Sequence, residues 1–242
     1  GYGGRATSYP LYVDEHVTAV QSGDEPMTIF RRSSVPLVVD PKRPRAVQHL
    51  LAQSDCDVVL CDDGMQHYAL GRDVEIAVVD GSRGIGNGRL LPMGPLREPA
   101  TRLDSVDHVI VNGAGFSWPH SHEMHLLPQG WLNLRGEMLP APAAGSCVHA
   151  VAGIGNPSRF FQQLEKNGFS VIPHAFPDHY DYSVRDLDFG DGLPVVMTEK
   201  DAVKCLGIAQ SHWWYIPVAA DLPQAFLDKL LQQILTIRAQ QP

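Results

Sequence analysis

Along most of this chain, short apolar runs alternate with stretches whose apolar residues recur every three or four positions. Val35 to Val39 and Asp57-Val58-Val59-Leu60-Cys61 flank Pro44 to Leu51, whose apolar residues fall at helical spacing, so the order strand, helix, strand is predicted. Asp57 to Cys61 reads as a strand buried on both faces, as strands of parallel sheets are. Val74 to Val79 and Val106 to Val111 are further strands, closed by the turn signals Asp80-Gly81 and Asn112-Gly113. The alternation resumes with a strand at Cys147 to Val151. A helix over Ser158 to Lys166 follows, capped by Asn156-Pro157 and stopped by Gly168. Strands at Ser170 to Ile172, Leu193 to Met197 and Trp213 to Val218 lead to an amphipathic helix from about Gln224 to Arg238. The pattern is that of an α/β protein with mostly parallel sheets.

Two stretches break the rhythm. Gly81 to Pro99 is a long loop rich in Gly and Pro, and so long a loop inside a compact domain signals function or disorder. Gly113 to Gly145 is irregular and rich in Pro, Gly and His, which places a boundary near residue 144 and predicts two lobes, 1–144 and 145–242. There is no internal repeat and no low-complexity tract.

Composition narrows the function classes. The chain has 242 residues, 44% of them hydrophobic, enough for a substantial core. A net charge of -8 argues against a nucleic-acid-binding surface, although it leaves room for a local basic pocket. The four cysteines, Cys56, Cys61, Cys147 and Cys205, have no zinc spacing, and three sit in or beside apolar patterns where Cys is a small buried hydrophobe. A reducing cytoplasm is the expected compartment. No apolar run reaches the roughly 18 to 20 residues that span a bilayer.

Candidate chemistry gathers in a few polar segments. Cys61-Asp62-Asp63-Gly64-Met65-Gln66-His67-Tyr68 places two carboxylates where the strand Asp57 to Cys61 would end, and open parallel sheets bind ligands there. Such carboxylates hold Mg²⁺ beside a phosphate, or else form an acidic turn before a helix. Asp24, in Gly23-Asp24-Glu25-Pro26, reads either as a general base or as a solvated acidic turn. His179, beside Asp178, would orient such a base, bind metal or sit in a capped turn. Arg97 suits a phosphate because its planar guanidinium binds oxyanions in a bidentate way, and Arg83, Arg89 and Arg102 add local positive charge or ordinary surface charge. Thr198, in Thr198-Glu199-Lys200-Asp201, lies at a strand end and also fits a helix N-cap.

Taken together and in order, these segments resemble a known family. They include Gly1-Tyr2-Gly3-Gly4, Gly23 to Pro26, Asp62 to Tyr68, Gly86-Asn87-Gly88 and Leu91 to Pro99. Val109 to Gly113, Ala152-Gly153-Ile154-Gly155 and Met197 to Asp201 complete the set. The chain is similar to the tetraacyldisaccharide 4'-kinases, the lipid A 4'-kinases of Gram-negative bacteria. The resemblance implies two P-loop-NTPase-like α/β/α sandwich lobes. It also implies transfer of the ATP γ-phosphate, with Mg²⁺, to the 4'-hydroxyl of a tetraacyldisaccharide 1-phosphate. The setting is the cytoplasmic face of the bacterial inner membrane, with the lipid A disaccharide precursor and the membrane surface as partners.

By motif, Asp24 resembles the carboxylate that activates the sugar hydroxyl, His179 the histidine paired with it, and Arg97 a catalytic cation. Asp62, Asp63 and Glu98 are the implied metal ligands, Thr198 and Lys200 nucleotide contacts, and Tyr2, His67 and Asn87 substrate contacts. Family members carry a membrane-anchoring helix and a Walker A loop upstream of Gly-Tyr-Gly-Gly, whereas this chain opens in that loop without an initiator Met. The expectation is therefore a chain inactive or nearly so as it stands, with an exposed sheet edge. Phe116, Trp118 and Trp131 are the loop residues that would touch lipid or else join the core. Two other readings stay open: a non-catalytic lipid- or nucleotide-binding remnant, and a metal-dependent phosphohydrolase using Asp62, Asp63 and His179.

Overall fold

A computed structural model describes residues 4–240. In chain order the elements are β1 (Leu11–Tyr12), α1 (Ala19–Ser22), α2 (Asp24–Ser33), β2 (Val38–Val39), α3 (Arg43–Gln53), β3 (Ile76–Asp80), β4 (His108–Asn112), β5 (His122–Pro128) and β6 (Leu132–Asn133). They continue with β7 (Cys147–Ala152), α4 (Pro157–Lys166), β8 (Ser170–Ala175), α5 (Val184–Leu187), β9 (Val195–Thr198), α6 (Glu199–Cys205), β10 (Trp213–Ile216), β11 (Val218–Asp221) and α7 (Gln224–Gln240). A 3₁₀ turn over Ala100–Asp104 precedes β4. The α/β class with mostly parallel sheets is as the sequence pattern implies.

The chain forms two compact units, each discontinuous in sequence. The first comprises the chain up to Asp62 together with Pro128–Pro217, and the second comprises Asp63–Leu127 with the chain from Val218 onward. This differs from a single cut near residue 144. The reason lies in strand pairing: β6, well before that cut, joins β10 in the first unit, while β11 and α7, far beyond it, belong with β3, β4 and β5.

The first unit is built on a sheet of order β6-β10-β9-β7-β8, parallel throughout except for β6, which runs antiparallel to β10. Its central strands are largely apolar because both faces are covered, His149 of β7 being a buried polar exception that meets His174 and Asp191. Val151, Val195, Met197 and Trp213 pack on one face with Leu187 of α5 and Ala202 and Cys205 of α6. Val148, Ala150, Val196 and Trp214 pack on the other with Leu164 of α4 and Phe169. Trp131 is partly buried against this second cluster, its ring tilted 56° to that of Phe169 at 5.0 Å between centroids. Met27 of α2 and Ala19 of α1 make a further cluster with Val13 and Val39, and Val203 of α6 packs against it. That contact sets the N-terminus of α2 beside α6.

In the second unit β3, β4 and β5 run parallel in the order β11-β5-β4-β3, and Phe226 of α7 packs on Ile110 and Met124. The turns after β3 and β4 interlock at glycines. A Cβ on Gly81 would lie 2.4 Å from the carbonyl oxygen of Gly113.

Two expectations need correction. Asp57 to Cys61 forms no strand, and Val58 and Leu60 are 47% and 88% exposed. A strand exists only where a neighbour completes its ladder. None of the described strands lies beside this run, and β2 pairs antiparallel with β1 instead. Consistent with this, Cys61 is exposed rather than a core residue, whereas Cys205 is buried, its thiol pushed up to about 12 by burial. The second correction concerns β5, which lies inside the stretch read as irregular.

Because a methyl group at Gly81 would meet backbone rather than a mobile side chain, Gly81→Ala is expected to cost about 1–3 kcal/mol of stability, measured by denaturant unfolding. An unchanged midpoint would show that the two turns are not packed as described.

Candidate functional site

The first group of polar residues is assembled by α2, α6 and the loop after β8. Asp24 and Glu25 open α2, where carboxylates meet the positive end of the helix dipole. Asp24 is only 7% exposed, so it is not a solvated turn residue. Its Oδ2 lies 3.0 Å from Nδ1 of His179, and with Asp24 ionised that ring nitrogen donates. Oδ1 has no hydrogen-bond partner among the described residues. His179 sits at φ 58, a left-handed backbone that non-glycine residues adopt uncommonly and that concentrates at functional sites. Asp178 accepts the His179 backbone N–H and so shapes the turn.

Lys200 braces this arrangement. Its Nζ lies 2.8 Å from Glu25 and 3.1 Å from Asp178, tying α2 to the His179 loop. Burial works against the charge of both carboxylates, but the Lys200 ammonium outweighs it and holds each below its usual range. Thr198 is the N-cap of α6: its oxygen accepts from Asp201 N–H and its hydroxyl proton goes to Asp201 Oδ2. Of the two residues expected to touch nucleotide, Lys200 thus bridges the segments that carry Asp24 and His179, and Thr198 caps α6.

Beneath them Asp201 is fully buried. It accepts from the Gly153 backbone N–H at 3.0 Å, the Tyr182 hydroxyl at 3.0 Å and Thr198 at 2.6 Å, and pairs with Lys204 at 2.7 Å. Burial, reinforced by Asp201, keeps the Tyr182 phenol protonated well above its usual range, so it remains a donor. Gly153 is needed because a Cβ there would lie 2.7 Å from the Tyr182 hydroxyl.

A second group lies in the other unit. Nη1 of Arg97 is 3.0 Å from both Asp63 oxygens and 3.2 Å from Gln66 Oε1. Glu98 accepts from Gln66 at 2.7 Å and from the Tyr68 hydroxyl, with Arg102 3.5 Å away. The Tyr68 hydrogen bond, then that of Gln66, holds Glu98 below its usual range against a smaller effect of burial. Asp63 is, like His179, a non-glycine residue with positive φ, here 47.

Asn87 is an organiser of the long loop, which is ordered. Its Nδ2 donates to Met93 O and its Oδ1 accepts from Arg89 N–H, so its amide is spent on the loop itself. His67 is half-buried, its backbone N–H bonded to Gly64 O. Tyr2 lies outside the described residues. Within this unit a cleft of about 510 Å³ is lined by Gln66, Val78, Asp80, Arg83, Arg97 and Leu103, among others, which sets guanidinium groups over an apolar floor.

Comparison with known proteins decides the family. A model described as "LpxK: Tetraacyldisaccharide-1-P 4'-kinase" matches residues 1–235. The tetraacyldisaccharide 4'-kinase of Pseudomonas aeruginosa is 51% identical over 241 residues, covering 97% of this chain and 73% of that protein. That of Alcanivorax borkumensis is 49% identical over 239 residues, covering 97% and 72%. The chain belongs to the tetraacyldisaccharide 4'-kinase family. The crystal structure of LpxK from Aquifex aeolicus in complex with ATP superposes with a TM-score of 0.76 at 27% identity, covering 96% of this chain and 76% of that one.

Family members use phosphates, so the fit of a divalent cation can be tested on the carboxylates. Mg²⁺ is commonly held by one or two carboxylates and completed by substrate phosphates and water. Glu98 has both oxygens engaged by donors, and those of Asp63 face Arg97. Asp62 is exposed and its carboxylate has no partner among the described residues, while its carbonyl accepts from Arg43. Asp62 therefore fits a cation ligand as arranged, and Glu98 does not. No group of three or more His, Cys, Asp or Glu among the described residues is placed to hold a metal.

Sequence reasoning missed Asp201, Lys204, Tyr182, Glu25 and Tyr68. Only Asp201 and Lys204, polar residues three apart amid Ala202, Val203 and Cys205, carried a readable signal, that of charges on a helix with apolar neighbours.

The Lys200 bracket has a pH signature. Because Glu25 and Asp178 are depressed in the folded state, their contribution is present above the ordinary carboxylate values of 4.5 and 3.8 and is lost as pH falls below them. Lys200→Met is expected to flatten the fall of melting temperature between about pH 5 and pH 3. An unaltered slope would mean that the ammonium does not govern those two groups.

Proposed function

We propose that this chain transfers the γ-phosphate of ATP to the 4'-hydroxyl of a tetraacylated glucosamine disaccharide 1-phosphate, with Asp24 as the base. The observation that carries the reading is the buried Asp24 carboxylate, held on one oxygen by His179 and without a partner on the other among the described residues. Phosphoryl transfer asks little covalent chemistry of a protein. The hydroxyl oxygen forms a bond to γ-phosphorus as the bond to the β–γ bridging oxygen breaks, and the hydroxyl proton passes to Oδ1 of Asp24. His179 fixes the carboxylate orientation, and the resulting products are the 4'-phosphate and ADP.

ATP as donor is supported by the ATP complex of the Aquifex aeolicus relative. Mg²⁺, when bound, would supply charge neutralisation to the phosphates, with Asp62 as its ligand and Asp63 beside it in sequence. The cleft in the second unit suits an anionic amphiphile, because Arg83 and Arg97 flank Val78 and Leu103. Arg97 reaches phosphate only by leaving Asp63, and this exposed pair is weak enough to exchange. The site of action is the cytoplasmic face of the inner membrane, where a tetraacylated substrate resides. Among the described residues no helix is long and apolar enough to cross a bilayer, so contact through the described part would be peripheral.

The test is turnover of the tetraacyldisaccharide 1-phosphate by the gene product that carries this chain. Asp24→Ala is expected to lower kcat by roughly 10²- to 10⁴-fold while ATP affinity stays nearly constant, because a base acts chiefly in the transition state. An equal loss of ATP binding would make Asp24 a structural or metal residue. Phosphate release without a lipid acceptor would point instead to a hydrolase.

A further inference from the structure

The Asp24–His179 pair has a third member. Lys204 of α6 is 7% exposed, and its Nζ lies 4.0 Å from Oδ2 of Asp24 and 2.7 Å from Oδ1 of Asp201. The ammonium also stands 4.9 Å from the centre of the Tyr182 ring. Despite these neighbours, Nζ makes no well-aligned hydrogen bond among the described residues, so a buried group with three donors retains capacity toward Asp24.

Two physical constraints meet here. A carboxylate can act as a base only while charged, and a buried charge is strongly unfavourable unless compensated. His179 and Lys204 both approach the same oxygen, Oδ2, which leaves Oδ1 without a partner among the described residues. Lys204 cannot drift, because Asp201 beneath it is pinned by Gly153, Tyr182 and Thr198.

We propose that Lys204 is a positioning residue for the base: a buried cation that compensates the Asp24 carboxylate and, with His179, holds its Oδ2 so that Oδ1 faces the hydroxyl. The proposal rests on the reading of Asp24 as the base. It predicts that the loss on removing Lys204 is confined to turnover and requires an intact Asp24.

The experiment measures kcat and the KM for ATP of Lys204→Met and Lys204→Arg in the gene product that carries this chain. Each is made in wild-type and Asp24→Asn backgrounds and assayed below the lowest melting midpoint of the set. Lys204→Met should lower kcat about tenfold to a hundredfold, with KM for ATP within about twofold of wild type. Lys204→Arg should recover most of the loss. In the Asp24→Asn background Lys204→Met should add nothing, since the two residues act as a unit. A kcat within about twofold of wild type would overturn the proposal, as would an equal fold-loss in both backgrounds, which marks a merely structural lysine. If Lys204→Met yields no folded protein, Lys204→Gln takes its place under the same criteria. Turnover that survives Asp24→Asn would overturn the base reading itself, whereas sensitivity at Asp24 with indifference at Lys204 would overturn this proposal alone.

Discussion

The arrangement of the first unit depends on one buried charge. Asp201 lies in the first turn of α6 with no exposure to solvent, and an uncompensated carboxylate there would be prohibitive. The structure meets that constraint with donors from three separate places: the loop after β7, the Tyr182 loop and the end of β9. Lys204 adds the opposite charge from within the helix. Each donor is thereby fixed relative to the others, because a hydrogen bond to a buried ion is costly to leave unmade. The segments that Asp201 gathers border Asp24, so a need of folding and a need of chemistry are met by the same residue.

The two polar groups differ in how they are held. Around Asp24 the carboxylate itself and Lys204 are buried while His179 is partly open to solvent, and the carboxylate is held on one oxygen. Around Arg97 the pairings are exposed, with Arg97 and Asp63 each about half accessible. Exposed ion pairs are weak and exchange readily. The contrast suits a division between a group that must be fixed and groups that must release one another to meet phosphate.

Much of the architecture was legible in the residues, for reasons that can be located. β7, β9 and β10 are predominantly apolar because both faces of the central sheet are covered, and α4 announces itself through Asn156-Pro157 and Gly168. Asp57 to Cys61 has the same apolar signature and yet forms no strand. Pattern reports what a segment would bury, whereas a strand also needs a neighbour. β5 was hidden for the opposite reason, since His122-Glu123-Met124-His125 is polar enough to pass for loop while pairing with β4. At the site, the motifs pointed to Asp24 and His179, which the structure brings within hydrogen-bond distance. The contacts of Thr198, Lys200 and Asn87 within the fold were not legible, because a side chain that braces its own fold and one that waits for ligand look alike in sequence. The participant with the weakest signal, Tyr182, acts through a contact with Asp201 nineteen residues along the chain.

The interleaving of the two units bears on how the polypeptide is made. The sheet of the first unit stays incomplete until β10 has been synthesised, and the second unit waits further for β11 and α7. Domains emerging from a ribosome generally fold as they appear, but here the first unit lacks β10 and the second lacks β11 until translation has passed residue 212. Until β10 is made, β9 is paired on one side only, with β7, and its other edge stays open. That open edge during translation, rather than any weakness of the finished sheet, is where this topology is exposed.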